Sequence, residues 1–139
     1  MATRWPDRGS GRCHAGNVAD VEQRLVRVLA GWAAGSVAVG AVLAVRPATR
    51  GFGRQTAAWG AVDGVIACLG IRGQARRGPT DPVRLRRVLW VNAGADVGYL
   101  VAALALLRTR PRWRGDALAV LVQGTFLLAL DVTAARALR

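Results

Sequence analysis

The chain has 139 residues, 53% of them hydrophobic, and carries a formal net charge of +12 from twenty arginines with no lysine. Its alanine, valine, leucine and glycine runs, separated by short arginine-rich connectors, are the composition of a membrane protein rather than a soluble bundle, which would show charges at helical period in every segment. The positive charge is spread over all connectors rather than gathered on one face, so no nucleic acid is expected as a partner. His14 is the only histidine, which excludes paired-histidine haem ligation and serine-histidine catalysis within one chain.

Residues 1–22 are rich in Gly and Arg and read as a disordered basic tail. They include Cys13 and His14, and Cys13 is not expected to pair with Cys68, the only other cysteine. The segment gives no metal-ligand spacing, and no cleavable signal peptide is recognisable ahead of the first apolar run. Four spans follow, at about 28–45, 55–71, 88–107 and 117–135, each near the ~20 residues that a bilayer requires. The first contains only Ser36 as a conventional polar side chain. The second is the weakest by hydropathy, because Asp63 sits at its middle. Pro79 and Pro82 interrupt the connector after it, and Thr80-Asp81-Pro82 resembles a helix start for the third span. The pattern predicts an all-α fold, a transmembrane four-helix bundle spanning residues 23–139.

Arginine counts orient the bundle, since basic residues favour the cytoplasmic side of short loops. Thirteen fall in the N-terminal segment, the middle connector (Arg72, Arg76, Arg77, Arg84, Arg86 and Arg87) and the C-terminus; seven fall in the two hairpin connectors. Both termini are therefore expected to be cytoplasmic at a plasma membrane, with the Arg72–Arg87 connector against anionic lipid headgroups. Glycines spaced by four occur in the first three spans, at Gly31 and Gly35, Gly60 and Gly64, and Gly94 and Gly98. Small faces of this kind let membrane helices approach closely.

Three of the eight acidic residues, Asp63, Asp96 and Asp131, fall one in each of the last three spans. A carboxylate in hydrocarbon is costly, so these acids must face a shared polar interior, pair with donors or take up a proton. Helical spacing puts other polar groups on the same faces: Gln55 and Trp59 with Asp63, Asn92 and Tyr99 with Asp96, and Gln123 with Asp131. Counted at 1.5 Å per residue from the cytoplasmic ends, Asn92 and Asp131 lie about 6 Å deep, Asp63 and Asp96 about 12 Å, and Trp59, Tyr99 and Gln123 about 16 to 18 Å. The expectation is a polar pocket built from Trp59, Asp63, Asn92, Asp96, Tyr99, Gln123 and Asp131, opening toward the arginine-rich face.

The segments Trp59-Gly60-Ala61-Val62-Asp63, Asn92-Ala93-Gly94-Ala95-Asp96-Val97-Gly98-Tyr99 and Gln123-Gly124-Thr125-Phe126-Leu127-Leu128-Ala129-Leu130-Asp131 resemble the signature blocks of an uncharacterised family of small four-span bacterial membrane proteins, of actinobacterial type. The resemblance covers spans two to four. It implies a four-helix membrane fold with polar residues at those positions, and no catalytic assignment.

Three readings of the pocket remain open on the sequence. Its polar groups can be interhelical glue, with Arg27, Arg54 or Arg87 reaching inward to pair with the acids. Asp63 and Asp96 can bind or relay a cation or proton, which in so short a chain points to a homo-oligomer. Asn92 and Asp96, four apart on one face, can hold Mg²⁺ for a membrane enzyme acting on a lipid, with arginines on its phosphates. The enzyme is the least favoured, because no second acidic repeat exists. The pattern names no cofactor and no particular metal.

Overall fold

A computed structural model describes the backbone of residues 10–78 and 80–138 and the side chains of 18–78 and 80–138. These residues form four helices: α1 Ser10–Ala44, α2 Arg50–Arg77, α3 Pro82–Thr109 and α4 Arg114–Ala137. Single 3-10 turns at Pro47–Thr49 and Pro111–Trp113 join α1 to α2 and α3 to α4. The helices are longer than the expected spans. Residues 10–22, read from the sequence as tail, belong to α1, while residues 1–9 lie outside the described residues. The reason is visible in the pattern: Val18, Val21, Leu25 and Val26 continue the buried stripe of α1 toward the N-terminus, ahead of Val28. A 28-residue helix is about 42 Å long, close to the full thickness of a bilayer with its headgroups.

Three segments are long and apolar enough to cross a membrane: Val18–Ala44, Pro82–Thr109 and Pro111–Ala137. α2 does not reach that level by composition, so the expected four spans become three on this criterion. Asp63 sits at the middle of α2 and arginines crowd both its ends, as Arg50 and Arg54 and as Arg72, Arg76 and Arg77.

Local chemistry sets the helix ends. α2 stops at Gly78, whose φ of 73° is left-handed and whose N–H donates to the Gln74 carbonyl at 2.9 Å; only glycine takes that conformation cheaply. α3 starts where expected, with Pro82 in its first turn and the Asp81 carboxylate accepting from the Arg84 N–H at 2.9 Å, a capping bond that offsets one orphan donor. In the first hairpin the Thr49 hydroxyl donates to the Leu43 carbonyl at 2.7 Å.

Neighbouring helices alternate in direction, which puts the α2–α3 connector, the start of α1 and the end of α4 at one end and both hairpin turns at the other. α1 packs on α2, α2 on α4, and α4 on α3, whereas α3 packs extensively on α4 alone. The core is made of small residues, with Ala33, Ala67, Ala93, Ala103, Ala117, Ala119 and Ala135 buried. Large aliphatic side chains point outward: Val42, Val45, Val65, Leu69, Val91 and Val101 are all more than half exposed. Such an arrangement suits a lipid solvent, in which close backbone packing rather than aliphatic burial holds helices together.

Of the six glycines that the spacing singled out, only Gly60 takes part in this close packing. A Cβ on Gly53 would lie 2.6 Å from the Leu43 carbonyl carbon and 2.7 Å from the Gly40 oxygen; one on Gly40 would lie 2.7 Å from the Gly53 oxygen; one on Gly60 would lie 2.7 Å from the Ser36 Cβ. Gly40, Gly53 and Gly60 thus form the α1–α2 seam. Gly64 makes only an ordinary contact, and Gly31, Gly35, Gly94 and Gly98 meet nothing within 4 Å. A four-residue spacing marks one face of a helix but does not say which face meets a neighbour.

Candidate functional site: an acidic cavity between the helix pairs

Because α3 packs closely on α4 only, a cavity of about 540 Å³ remains between it and the α1–α2 pair. Four helices line it, and along α3 the lining runs from Leu85 to Tyr99, about 21 Å of helix. Six of the seven expected site residues lie on its wall: Trp59, Asp63, Asn92, Asp96, Tyr99 and Asp131. Gln123 borders a niche of about 10 Å³ that it shares with Trp59, Asp96 and Tyr99, the size of one water. Gln55, a turn beyond Trp59 on the same stripe, lines neither space.

Each acid meets a different environment. Asp63 is 1% exposed and accepts a hydrogen bond from the Gln123 amide across the α2–α4 contact. Asp96 is 6% exposed, and its buried Oδ2 has no hydrogen-bond partner. Asp131 is buried a little higher on the connector side, on a wall that also includes the more exposed Asn92. At the far end the Trp59 ring meets Tyr99 edge-on, with centroids 5.5 Å apart and planes at 74°, a favoured aromatic geometry that links α2 to α3. Trp32 of α1 stacks on Phe126 of α4 at 3.8 Å, and its indole nitrogen is buried without a partner.

Glu22 is the acidic lining residue that the sequence reading missed. It stands at the connector end of the cavity, where its carboxylate accepts from the Thr80 hydroxyl at 2.7 Å and the Thr80 N–H at 3.1 Å. Glu22, Leu25, Val26 and Leu29 all line the cavity, and their spacing of three and four was available as a signal. It went unread because those residues were placed ahead of the first span.

The charge distribution is lopsided. In a chain with twenty arginines, the cavity lining contains four carboxylates and no cationic side chain. Arg27, Arg54 and Arg87, which could have reached inward, are exposed. Among the described residues no three His, Cys, Asp or Glu side chains are grouped closely enough to hold a metal ion. The acids come from four different helices and do not converge on one point.

Apolar helices of membrane-crossing length around a half-open cavity lined by buried acids define the class as a helical protein with a polar site between its helices. The chain belongs to a family of unknown function (DUF6992), whose model matches residues 28–132. That match begins at the first apolar run and so extends the resemblance noted over spans two to four. No curated protein and no solved structure matches the chain.

Proposed function

We propose that this is a multi-pass membrane protein whose interior cavity binds a cation, inorganic, organic or a proton, through Asp96 and Asp131, with Asp63 held in place by Gln123. The observation that carries the reading is the Asp96 carboxylate, buried with an unpartnered oxygen on the wall of a large cavity that has no positive side chain. A polar group in that position costs free energy unless something satisfies it, and intramembrane acids of this kind mark ion or substrate sites.

In this reading all four helices cross the bilayer. α2 qualifies despite its composition because Asp63 faces inward, while Val62, Val65 and Leu69 are exposed and meet lipid. Both termini and the α2–α3 connector lie in the cytoplasm. There the exposed arginines at 72, 76, 77, 84, 86 and 87 meet anionic headgroups, each contributing about 1 kcal/mol near the surface.

The glue reading draws support from one pair, Gln123 and Asp63, and we assign that pair a structural share. It does not account for Asp96. A lipid-directed enzyme draws less support, since no arginine borders the cavity and no metal-holding group of acids exists among the described residues.

The test is thermal stability of the purified protein in detergent, titrated with Na⁺, K⁺, Mg²⁺, protons and the organic cations tetraethylammonium and tetraphenylphosphonium, for the parent, Asp96→Asn and Asp116→Asn. Asp116 lies at the hairpin end beside Gly51. A ligand at a hundred times its Kd stabilises by about 2.7 kcal/mol. Cation-dependent stabilisation present in the parent and Asp116→Asn and lost in Asp96→Asn is expected. A flat response to every cation, organic ones included, contradicts the proposal.

A further inference from the structure

The cavity also constrains the kind of cation. We propose that its ligand is an organic cation with an apolar body, such as a hydrophobic amine or quaternary ammonium; this rests on the cation-binding reading above and narrows it.

Four observations converge on that class. At about 540 Å³ the space falls within the range of small-molecule sites, ~300–1,000 Å³, and far exceeds what a desolvated inorganic ion occupies. A hard cation needs about six oxygen ligands around one point, whereas no three acids group closely enough to hold a metal ion among the described residues. The walls are chiefly aliphatic, with Leu25, Leu29, Leu85, Leu89, Leu127 and Leu130 among them. Such walls offer nothing to a hydrated ion and favourable burial to an apolar body. Finally, Trp59 and Tyr99 stand together at the end where Asp96 lies, both lining the cavity. Aromatic rings beside a carboxylate are the chemistry that holds a diffuse, weakly hydrated positive charge.

Asp96 and the aromatic pair would take the charged centre, and the leucines toward the connector would take the hydrocarbon. Glu22, held by Thr80 at the connector end, supplies negative charge where such a ligand would enter. No covalent step is involved.

The experiment is equilibrium binding of radiolabelled tetraphenylphosphonium to the full chain in detergent and, in separate samples, of tetraphenylborate, which has the same shape and the opposite charge. Saturable binding of the cation, much tighter than that of the anion and weakened about tenfold or more in Asp96→Asn, is expected. Trp59→Leu, which keeps the apolar volume and removes the ring, is expected to weaken it by a smaller factor. Should Asp96→Asn fail to fold, the contrast between the two ions on the parent decides alone. Absent or non-saturable binding, or equal binding of both ions, overturns the organic-cation proposal. If Na⁺, K⁺, Mg²⁺ or protons nevertheless stabilise the parent through Asp96, the broader cation reading stands; if they also fail, both fall.

Discussion

Replacing Gly53 by alanine tests how the bundle is held together. The added Cβ would sit 2.6 Å from the Leu43 carbonyl carbon and 2.7 Å from the Gly40 oxygen, against an ordinary separation of about 3.5–4.0 Å. Both obstacles are backbone atoms, so no rotamer relieves the clash and α1 must move away from α2 by about 1 Å. Overpacking of this kind costs about 1–3 kcal/mol. Two backbone contacts this short place the cost in the upper half of that range, the intrinsic helical preference for Ala over Gly returns about 1 kcal/mol, and a net loss of about 1–2 kcal/mol is expected. Gly94→Ala and Gly98→Ala gain the same propensity with nothing within 4 Å of the new methyl, so they are expected to be neutral or more stable by up to about 1 kcal/mol. Equilibrium unfolding in mixed detergent and dodecyl sulfate, followed by circular dichroism, resolves differences of this size. If Gly94→Ala destabilises as much as Gly53→Ala, or if Gly53→Ala is neutral, the α1–α2 seam does not carry the packing assigned to it.

Other substitutions probe the cavity and its surroundings. Gln123→Leu leaves the Asp63 carboxylate buried without its donor and is expected to cost about 1–3 kcal/mol in the same assay, with Asp63→Leu added to it restoring part of the loss. Thr80→Val removes the hydroxyl that binds Glu22 and is expected to cost about 1 kcal/mol, with faster amide hydrogen exchange confined to the α2–α3 connector; unchanged exchange there would show that the contact does not hold the connector. Asp81→Ala removes the cap of α3 and is expected to cost about 1 kcal/mol, read as fraying of the first turn of that helix. In a cysteine-free background, an impermeant thiol reagent added outside cells is expected to label Ala48→Cys and Arg112→Cys and to spare Arg76→Cys; the reverse pattern would invert the proposed orientation.

Much of the architecture was legible because a long apolar helix leaves a simple trace. Apolar runs placed all four helices, although only three of them are long and apolar enough to cross a membrane, and the helix start at Asp81-Pro82 followed from local rules. The acids were legible for a related reason: a carboxylate is so costly in hydrocarbon that its position in a span nearly dictates that it face inward, and six of the seven expected residues do share one cavity. What the sequence withheld depended on which helices touch. Helical periodicity fixes a face but not its partner, so Gly94 and Gly98 looked equivalent to Gly60 and are not. Asp63 and Gln123 were placed on separate helices with no way to see that they bond. Glu22 was hidden because α1 continues well below the apolar run that announces it.

The most direct test is the rate at which a cysteine replacing Asn92, on the cavity wall, reacts with small thiol reagents of opposite charge, measured against Val91→Cys on the exposed face of the same helix. A water-accessible acidic cavity predicts that position 92 is modified much faster by a trimethylammonium methanethiosulfonate than by its sulfonate counterpart, and that position 91, facing lipid, reacts with neither. Equal rates for the two reagents at position 92, or no reaction there at all, would contradict an accessible negative site inside the bundle.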